Sequence, residues 1–273
     1  MTTNVIISDI HNRSMAFTEI LERANIAHQS PSPSSDKWVR VKNTRVTQVG
    51  DLLSLGYNEQ EAEFMKFAWD FLDVKCLGNH EAPAIYPVHA RIEFSGWHHR
   101  DRIAEQMVRS KHNAGEYVIA HSVGDWLVTH AGLHPVLAES AGIDITDSAE
   151  KIAEQLNTLW VSNPMHEVFV AIGYNRGGYH AYGGVLWNDL FDLDKAYAEN
   201  PNYVPQICGH SSYADTGMYH PHLWCIDTKG SVAALVTDDD GETFELIESD
   251  WIYHYGDSRE RGSITRRTPK GQA

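Results

Sequence analysis

The sequence predicts an α/β fold in which parallel strands alternate with helices. Short apolar runs rich in β-branched residues, typical of buried strands, alternate in the first part of the chain with segments whose apolar residues recur at helical spacing. No linker-like tract divides the 273 residues, and their number suits one large domain. We therefore expect a single sheet-based core whose strand ends carry the polar residues.

The N-terminal elements follow the order strand, helix, strand, helix, strand. They are predicted over residues 4–8, Ser14–Ala24, Thr44–Val49, Glu59–Phe71 and Val74–Leu77. The segment His28–Lys37 contains Ser-Pro-Ser-Pro-Ser-Ser and is predicted to be an exposed loop. A right-handed βαβ crossover brings the carboxyl ends of its strands to one sheet edge, so Asp51 and Asn79 are expected side by side.

The rest of the chain is predicted to be less regular. An irregular insertion at about residues 82–116, with a short helix over Ile103–Val108, is expected to lie over the strand ends. A helix is predicted over Ile145–Trp160, and glycine-rich residues 173–184 are expected to lack regular structure. Further strands are predicted over Tyr117–His121, Trp126–His130, Val204–Cys208, Leu223–Asp227, Val232–Thr237 and Phe244–Glu248. The predicted domain is 1–255, and polar residues 256–273 are predicted to be a flexible tail.

Charge and composition restrict the kinds of partner that this protein is expected to bind. The formal net charge is −15, which repels nucleic-acid backbones, so no nucleic-acid partner is expected. The N-terminal apolar run is too short for a signal peptide or a membrane span, so the protein is expected to be cytoplasmic, with no membrane partner. The cysteines Cys76, Cys208 and Cys225 form no CxxC pair and are expected to be buried and free.

Polar side chains follow several predicted strands at the carboxyl end of each strand. They are Asp9 and His11, Asp51, Asn79 and His80, His130, and His210. Carboxylate, amide and imidazole donors together suit a pair of transition-metal ions. Residues i and i+2 at a strand end point to the same side, so the first two can bind one ion together.

The order of these motifs resembles the calcineurin-like metallophosphoesterases. Asp-x-His, Gly-Asp, Gly-Asn-His-Glu, a strand-ending His-x-Gly and a later Gly-His carry the resemblance over residues 4 to about 248. Gly209-His210-Ser211-Ser212, which stands where many members have GHxH, is similar to the phosphoprotein phosphatase and diadenosine tetraphosphatase branch, as is Leu186-Trp187-Asn188-Asp189. The resemblance implies a four-layer αββα sandwich of two mixed β-sheets flanked by helices, with a dinuclear metal site at the strand ends.

The resemblance also implies roles for individual residues. Two divalent ions, with Mn²⁺ the first candidate and Fe, Zn or Ni as alternatives, would activate water for in-line attack on phosphorus. The implied ligands are Asp9, His11 and Asp51 for the first ion and Asp51, Asn79, His130 and His210 for the second. His80 would be the general acid that protonates the leaving group.

The chain departs from this branch in its second motif. The usual GDxVDRG is Gly50-Asp51-Leu52-Leu53-Ser54-Leu55-Gly56 here, so Ser54 replaces a supporting Asp and Leu55 replaces a phosphate-binding Arg. Arg176 and Arg13 are the predicted substitutes as phosphate ligands.

These features leave three functions open. The first is a serine/threonine-phosphatase-like phosphomonoesterase acting on phosphorylated proteins or small-molecule phosphates. The second is a dinucleoside polyphosphate hydrolase or phosphodiesterase, in which Tyr174, Tyr179, Tyr182 or Trp97 could stack a nucleobase. The third is a scaffold protein of the same fold with weakened catalysis.

Overall fold

The computed structural model describes residues 2–30, 37–53, 60–86, 101–212, 215–238, 241–254 and 263–266. The predictions that concern Ser54, Leu55 and Trp97 lie outside the described residues, as do much of the predicted loop at 28–37 and part of the predicted insertion.

The described strands and helices alternate over most of the chain. The strands are β1 (Thr3–Ile7), β2 (Ala27–Gln29), β3 (Trp38–Arg40), β4 (Thr44–Gln48), β5 (Val74–Lys75), β6 (Ala120–Val123), β7 (Trp126–Thr129), β8 (Gln206–Cys208), β9 (Gly217–His220), β10 (Leu223–Cys225), β11 (Ala233–Thr237), β12 (Phe244–Glu248), β13 (Trp251–His254) and β14 (Ser263–Arg266). The helices are α1 (Ser14–Arg23), α2 (Glu61–Trp69), α3 (Ala82–Ile85), α4 (Arg102–Asn113), α5 (Pro135–Ser140), α6 (Ala149–Ser162), α7 (Glu167–Val170) and α8 (Leu190–Glu199).

Ten of these strands form two mixed five-stranded sheets, and β2-β3 and β13-β14 form two-stranded sheets. The first has the order β12-β11-β1-β4-β5, in which β1, β4 and β5 run parallel and β11 is antiparallel to β1. The second has the order β6-β7-β8-β10-β9, with β7, β8 and β10 parallel. The predicted β4-α2-β5 unit is therefore present, and its parallel strands bring their carboxyl ends to the same edge.

The two sheets pack face to face, with helices on both outer faces. Alternation along β1 separates the layers: Ile6 packs between the sheets with Val128 and Ile207, whereas its neighbours Val5 and Ile7 pack against the helices. Helices α1, α2 and α4 cover the first sheet, α5, α6 and α7 cover β6 and β7, and α8 packs against β8 and β10. The predicted fold class is confirmed.

Several short elements differ from the sequence prediction. Helices α3, α5, α7 and α8 and strands β2, β3, β9, β13 and β14 were not predicted. Strand β14 lies within the predicted tail and pairs with β13 in a two-stranded sheet. Helix α4 covers 102–113 and is longer than the helix predicted within the insertion. No helix in the described ranges is both long and apolar enough to cross a membrane.

Candidate metal centre

The loops that follow β1, β4, β5, β7 and β8 meet at one place. Each carries one or two of the residues predicted from strand ends, and the side chains of these residues lie within contact distance of one another. The parallel register explains why. Ile7 pairs with Gln48 on β4, so Asp9 and Asp51 leave the sheet at neighbouring positions.

Asp51 lies at the centre of this arrangement. Its Oδ2 atom is 3.7 Å from His11 Nε2, 3.7 Å from His80 Nε2 and 3.5 Å from His130 Nε2. Its Oδ1 atom accepts a hydrogen bond from the backbone N–H of His80 at 2.9 Å. One carboxylate thus faces imidazoles from three different loops.

His130 connects Asp51 to the second group of predicted ligands. His130 Nε2 lies 2.8 Å from Asn79 Oδ1 and 3.1 Å from His210 Nδ1. His130 is fully buried, and its ring packs edge to face on that of His210. The predicted ligands of the second ion therefore lie together.

Asp9 also lies beside His11. Its Oδ2 atom is 3.9 Å from His11 Nε2 and accepts the backbone N–H of His210 at 2.9 Å. Two groups of carboxylate and imidazole atoms are compact enough to hold an ion: His11, Asp51 and His80, and Asp51, His130 and His210. The resemblance implies Asp9, His11 and Asp51 as the ligands of the first ion. The first compact group contains His80 in place of Asp9.

The loops have no space for larger residues at their glycines. A Cβ atom on Gly78 would lie 2.0 Å from Asp51 Oδ1, and one on Gly209 would lie 2.0 Å from Asp9 Oδ1. Asp51 and His210 have positive φ values of 56° and 67°, which are uncommon for residues other than glycine and often mark functional sites. These two predicted ligands thus have conformationally costly backbones.

Burial determines the protonation of the centre. Burial is the main cause that lowers the pKa of His130 to about 3, and it also lowers the pKa values of His11 and His210. Burial, followed by the nearby charges of Asp227 and Asp51, raises the pKa of Asp9. At neutral pH these imidazoles are therefore neutral and keep a lone pair for a metal ion.

The donor atoms of these residues fit divalent metal ions. Neutral imidazoles, carboxylates and an amide oxygen are donors that borderline divalent metals accept. His210 Nε2 is buried and has no hydrogen-bond partner among the described residues. Buried polar atoms are usually satisfied, so a bound metal ion would account for this one.

Arg176 lies beside the centre. It belongs to a short 3-10 turn, Tyr174–Arg176, and its Nη2 atom donates to the His210 carbonyl at 3.2 Å and to Ser211 Oγ at 2.6 Å. Its Nε atom is 3.1 Å from Oδ2 of buried Asp189. The predicted phosphate ligand is thus held next to a predicted metal ligand.

Arg13 has different surroundings. Its side chain is buried, and its Nη1 atom donates to the backbone carbonyls of Asp9 and Ser231. These contacts support the loop behind Asp9. A phosphate-binding role for Arg13 stays a prediction, and its burial favours a structural role.

Two acidic residues at the site were not predicted from the sequence. Asp227 is buried close to Asp9, and burial raises its pKa to about 6. Asp189 contacts Arg176 and also accepts the N–H of Phe191 as the N-cap of α8. Asp227 follows strand β10, as the predicted ligands follow their strands. Asp189 ends the motif Leu186-Trp187-Asn188-Asp189, which carries part of the resemblance, and precedes a run of helical periodicity, but neither residue was assigned to the site.

His134 lies on the loop after β7 and takes no predicted role. Its ring stacks on Tyr182 with centroids 3.7 Å apart, and its Nδ1 atom accepts the N–H of Val136 as the N-cap of α5. Tyr182 is therefore engaged by a protein ring, whereas Tyr174 and Tyr179 are 67% and 91% exposed.

A comparison with protein-family models finds no match, and neither does a comparison with curated proteins. Among solved structures, one provisionally assigned as a diadenosine tetraphosphatase is 16% identical with a TM-score of 0.48, and the match covers 90% of this chain and 93% of that one. Another, provisionally assigned as a 5'-nucleotidase from Staphylococcus aureus, is 13% identical with a TM-score of 0.34, over 90% of this chain and 54% of that one. Both similarities are too distant to support a conclusion about this chain.

Proposed function

We propose that this protein is a metal-dependent phosphoester hydrolase of the serine/threonine-phosphatase type, acting on phosphomonoesters. The observation that carries the proposal is the position of Asp51 Oδ2, which lies within 3.7 Å of three imidazole nitrogens from separate loops. A carboxylate between two groups of nitrogen donors could serve as a ligand to an ion in each group.

The ligand assignment follows the side chains that meet at the strand ends. Asp9, His11 and Asp51 would hold one ion, and Asp51, Asn79, His130 and His210 would hold the other. When bound, the ions supply positive charge for the phosphate and Lewis acidity for the attacking water. In a chain of net charge −15 this local positive charge is required to attract an anionic substrate.

His80 is the proposed proton donor to the leaving oxygen. Asp51 Oδ1 accepts its backbone N–H, which fixes the loop, and its ring packs edge to face on His11. Its side chain is 10% exposed, whereas that of His130 is fully buried. A proton donor must reach the substrate, so this difference supports His80 as the acid rather than as a ligand.

Arg176 is the proposed phosphate ligand contributed by the protein. The related branch has a phosphate-binding Arg where this chain has Leu55, and we propose that Arg176 takes over its role. Its contacts with Asp189 and Ser211 hold the guanidinium beside His210. A planar guanidinium can bind two phosphate oxygens at once, which a lysine cannot reproduce.

A specific observation favours a second function, hydrolysis of dinucleoside polyphosphates or phosphodiesters. Tyr174 and Tyr179 are exposed; Tyr174 lies on the same 3-10 turn as Arg176, and Tyr179 follows Arg176 by three residues in the chain. Exposed aromatic rings beside a phosphate-binding arginine could stack a nucleobase. This function would use the same metal centre.

The test is turnover by protein stripped with a chelator and reloaded with Mn²⁺. We expect hydrolysis of an aryl phosphate, loss of at least about 100-fold in kcat/KM for Asp51→Asn, and little change for the exposed control Asp144→Asn. A panel of phosphopeptide, diadenosine tetraphosphate and cyclic nucleotide distinguishes the two enzymatic functions. Absence of turnover with Mn²⁺, Fe²⁺, Zn²⁺ and Ni²⁺ alike would leave the scaffold function.

The role of His80 has its own test. If it protonates the leaving oxygen, His80→Asn will reduce kcat more for an alkyl phosphate than for a nitrophenyl phosphate, whose leaving group needs no proton. An equal reduction for both substrates would instead assign His80 to metal binding.

A further inference from the structure

Glu81 connects the backbones of two loops of the candidate metal centre. Its side chain is fully buried, and it immediately follows His80 in the chain. Its Oε2 atom accepts the backbone N–H groups of Asp51 at 2.9 Å and Gly78 at 3.0 Å, and its Oε1 atom accepts that of Leu53 at 2.9 Å. One carboxylate thus holds the loop after β4 against the loop after β5.

These contacts extend to the loop after β1. The Leu53 carbonyl lies 3.0 Å from His11 Nδ1, which fixes the orientation of that ring. The Asp51 carbonyl accepts the backbone N–H groups of Ile10 and His11 at 3.0 and 2.9 Å. Through Asp51 and Leu53, Glu81 therefore supports His11, a predicted ligand on a third loop.

The backbone that Glu81 holds is conformationally costly. Asp51 has φ 56°, and a residue other than glycine in this region persists only where its surroundings enforce it. A hydrogen bond from an amide to a charged acceptor is stronger than one to a neutral acceptor. The Glu81 carboxylate provides such an acceptor to the N–H of Asp51 itself.

We propose that Glu81 is a positioning residue that sets the metal affinity of the centre by holding Asp51, His11 and the Asn79-His80 loop in place. The proposal rests on the proposed function only in requiring that this centre binds metal. Residues that orient metal ligands without touching the ion typically change metal affinity 10–100-fold when they are replaced. Replacement of Glu81 should therefore weaken binding and leave the fold intact.

The decisive variant is Glu81→Gln, which has nearly the same shape as glutamate. Its amide has only one oxygen to accept hydrogen bonds, and its NH₂ group would face backbone N–H groups that are themselves donors. The matched control is Glu61→Gln, which replaces another buried glutamate, on α2. Mn²⁺ binding to chelator-stripped protein is measured by titration calorimetry, without substrate. We expect affinity about 10–100-fold weaker for Glu81→Gln and unchanged for Glu61→Gln, with the circular dichroism of both as in the wild type.

A spectroscopic measurement separates positioning from a merely structural role. With Co²⁺ at saturating concentration, a displaced ligand set changes the visible absorption bands of Glu81→Gln, whereas general destabilisation leaves them as in the wild type. Saturating Mn²⁺ should also restore much of kcat. A folded Glu81→Gln protein with wild-type Mn²⁺ affinity and an unchanged Co²⁺ spectrum would overturn the proposal.

If Glu81→Gln does not fold, Glu81→Asp takes its place, because it keeps the charge but is too short to reach all the same amides. Hydrogen exchange of the wild-type, metal-free protein gives a test that needs no variant. The amides of Asp51, Leu53 and Gly78 should exchange slowly, and fast exchange at all of them would contradict the proposal. Metal binding without phosphoester turnover would refute the proposed function while leaving this inference standing.

Discussion

The backbone N–H of His210 donates to Asp9 Oδ2 at 2.9 Å, although 201 positions separate the two residues in the chain. Asp9 follows β1 of the first sheet, and His210 follows β8 of the second. This hydrogen bond therefore joins the two sheets at the candidate metal centre. Correct packing of one sheet on the other is a condition for assembling the site.

Gly209 is required for this junction. A Cβ atom there would lie 2.0 Å from Asp9 Oδ1 and 2.8 Å from Val49 Cγ2. We expect Gly209→Ala to reduce the free energy of unfolding of the metal-free protein by about 1–3 kcal/mol, as overpacking does, and to weaken Mn²⁺ binding.

The control for this prediction is Gly142→Ala, whose Cβ would meet no atom within 4 Å but whose φ is 69°. It should cost about 1–2 kcal/mol through backbone conformation alone and leave Mn²⁺ binding unchanged. Urea unfolding with a chelator measures both variants. Wild-type Mn²⁺ affinity in Gly209→Ala would show that the junction does not shape the site.

Arg176 is expected to act in substrate binding. Arg176→Ala should reduce kcat/KM for an aryl phosphate about 10–100-fold, since a hydrogen bond to a charged group contributes about 1.5–3 kcal/mol. Arg176→Lys should recover only part of the loss, because an ammonium group cannot form the bidentate contact. If both variants kept the wild-type kcat/KM, Arg176 would have no role in phosphate binding.

Asp189 is expected to orient Arg176. Asp189→Asn keeps a side-chain oxygen that can cap α8 and accept the N–H of Phe191, but it removes the charge 3.1 Å from Arg176 Nε. We expect the melting temperature to change little and KM for an aryl phosphate to rise several-fold. In the background of Arg176→Ala, the same change should have little further effect on KM. Additive effects of the two substitutions would refute the coupling.

His134 makes the stability of the fold depend on pH. Burial lowers its pKa to about 4 in the folded protein, from a value near 6.5 in the unfolded chain. The unfolded chain then binds a proton more readily, so stability is complete above about pH 6.5 and falls as the pH decreases towards 4. This residue should account for a loss of at most about 3 kcal/mol across that range.

The variant His134→Asn tests this pH dependence, because asparagine can still cap α5 but does not titrate. Urea unfolding with a chelator at pH 7, 6, 5 and 4 should give a shallower decline for the variant than for the wild type. Parallel curves for the two proteins would show that His134 does not titrate on unfolding.

The sequence predicted which side chains meet at this edge, because the predicted ligands follow strands that are easily recognised. Runs such as Val5-Ile6-Ile7 before Asp9 identify both the strand and its polar end. In contrast, the hydrogen bonds of Glu81 and the pairing of Arg176 with Asp189 depend on how loops pack in three dimensions. No local pattern encodes such contacts, so they were found only in the structure.

The elements that were not predicted are mostly short. Strands β2 and β3 have 3 residues each, too few to show a period of two. Helix α8 is an exception: Leu190, Leu193 and Tyr197 are buried at helical spacing behind an Asp N-cap, so its pattern was present in the sequence.

The central claim is that Asp51 would help to hold each of two metal ions. The most direct measurement is the number of Mn²⁺ ions bound per chain, determined by mass spectrometry of chelator-stripped and reloaded wild-type and Asp51→Asn proteins. The account predicts two ions per wild-type chain and fewer than one per chain of the variant, since Asp51 is a proposed ligand of both. Fewer than two ions in the wild type, or the same number in both proteins, would contradict it.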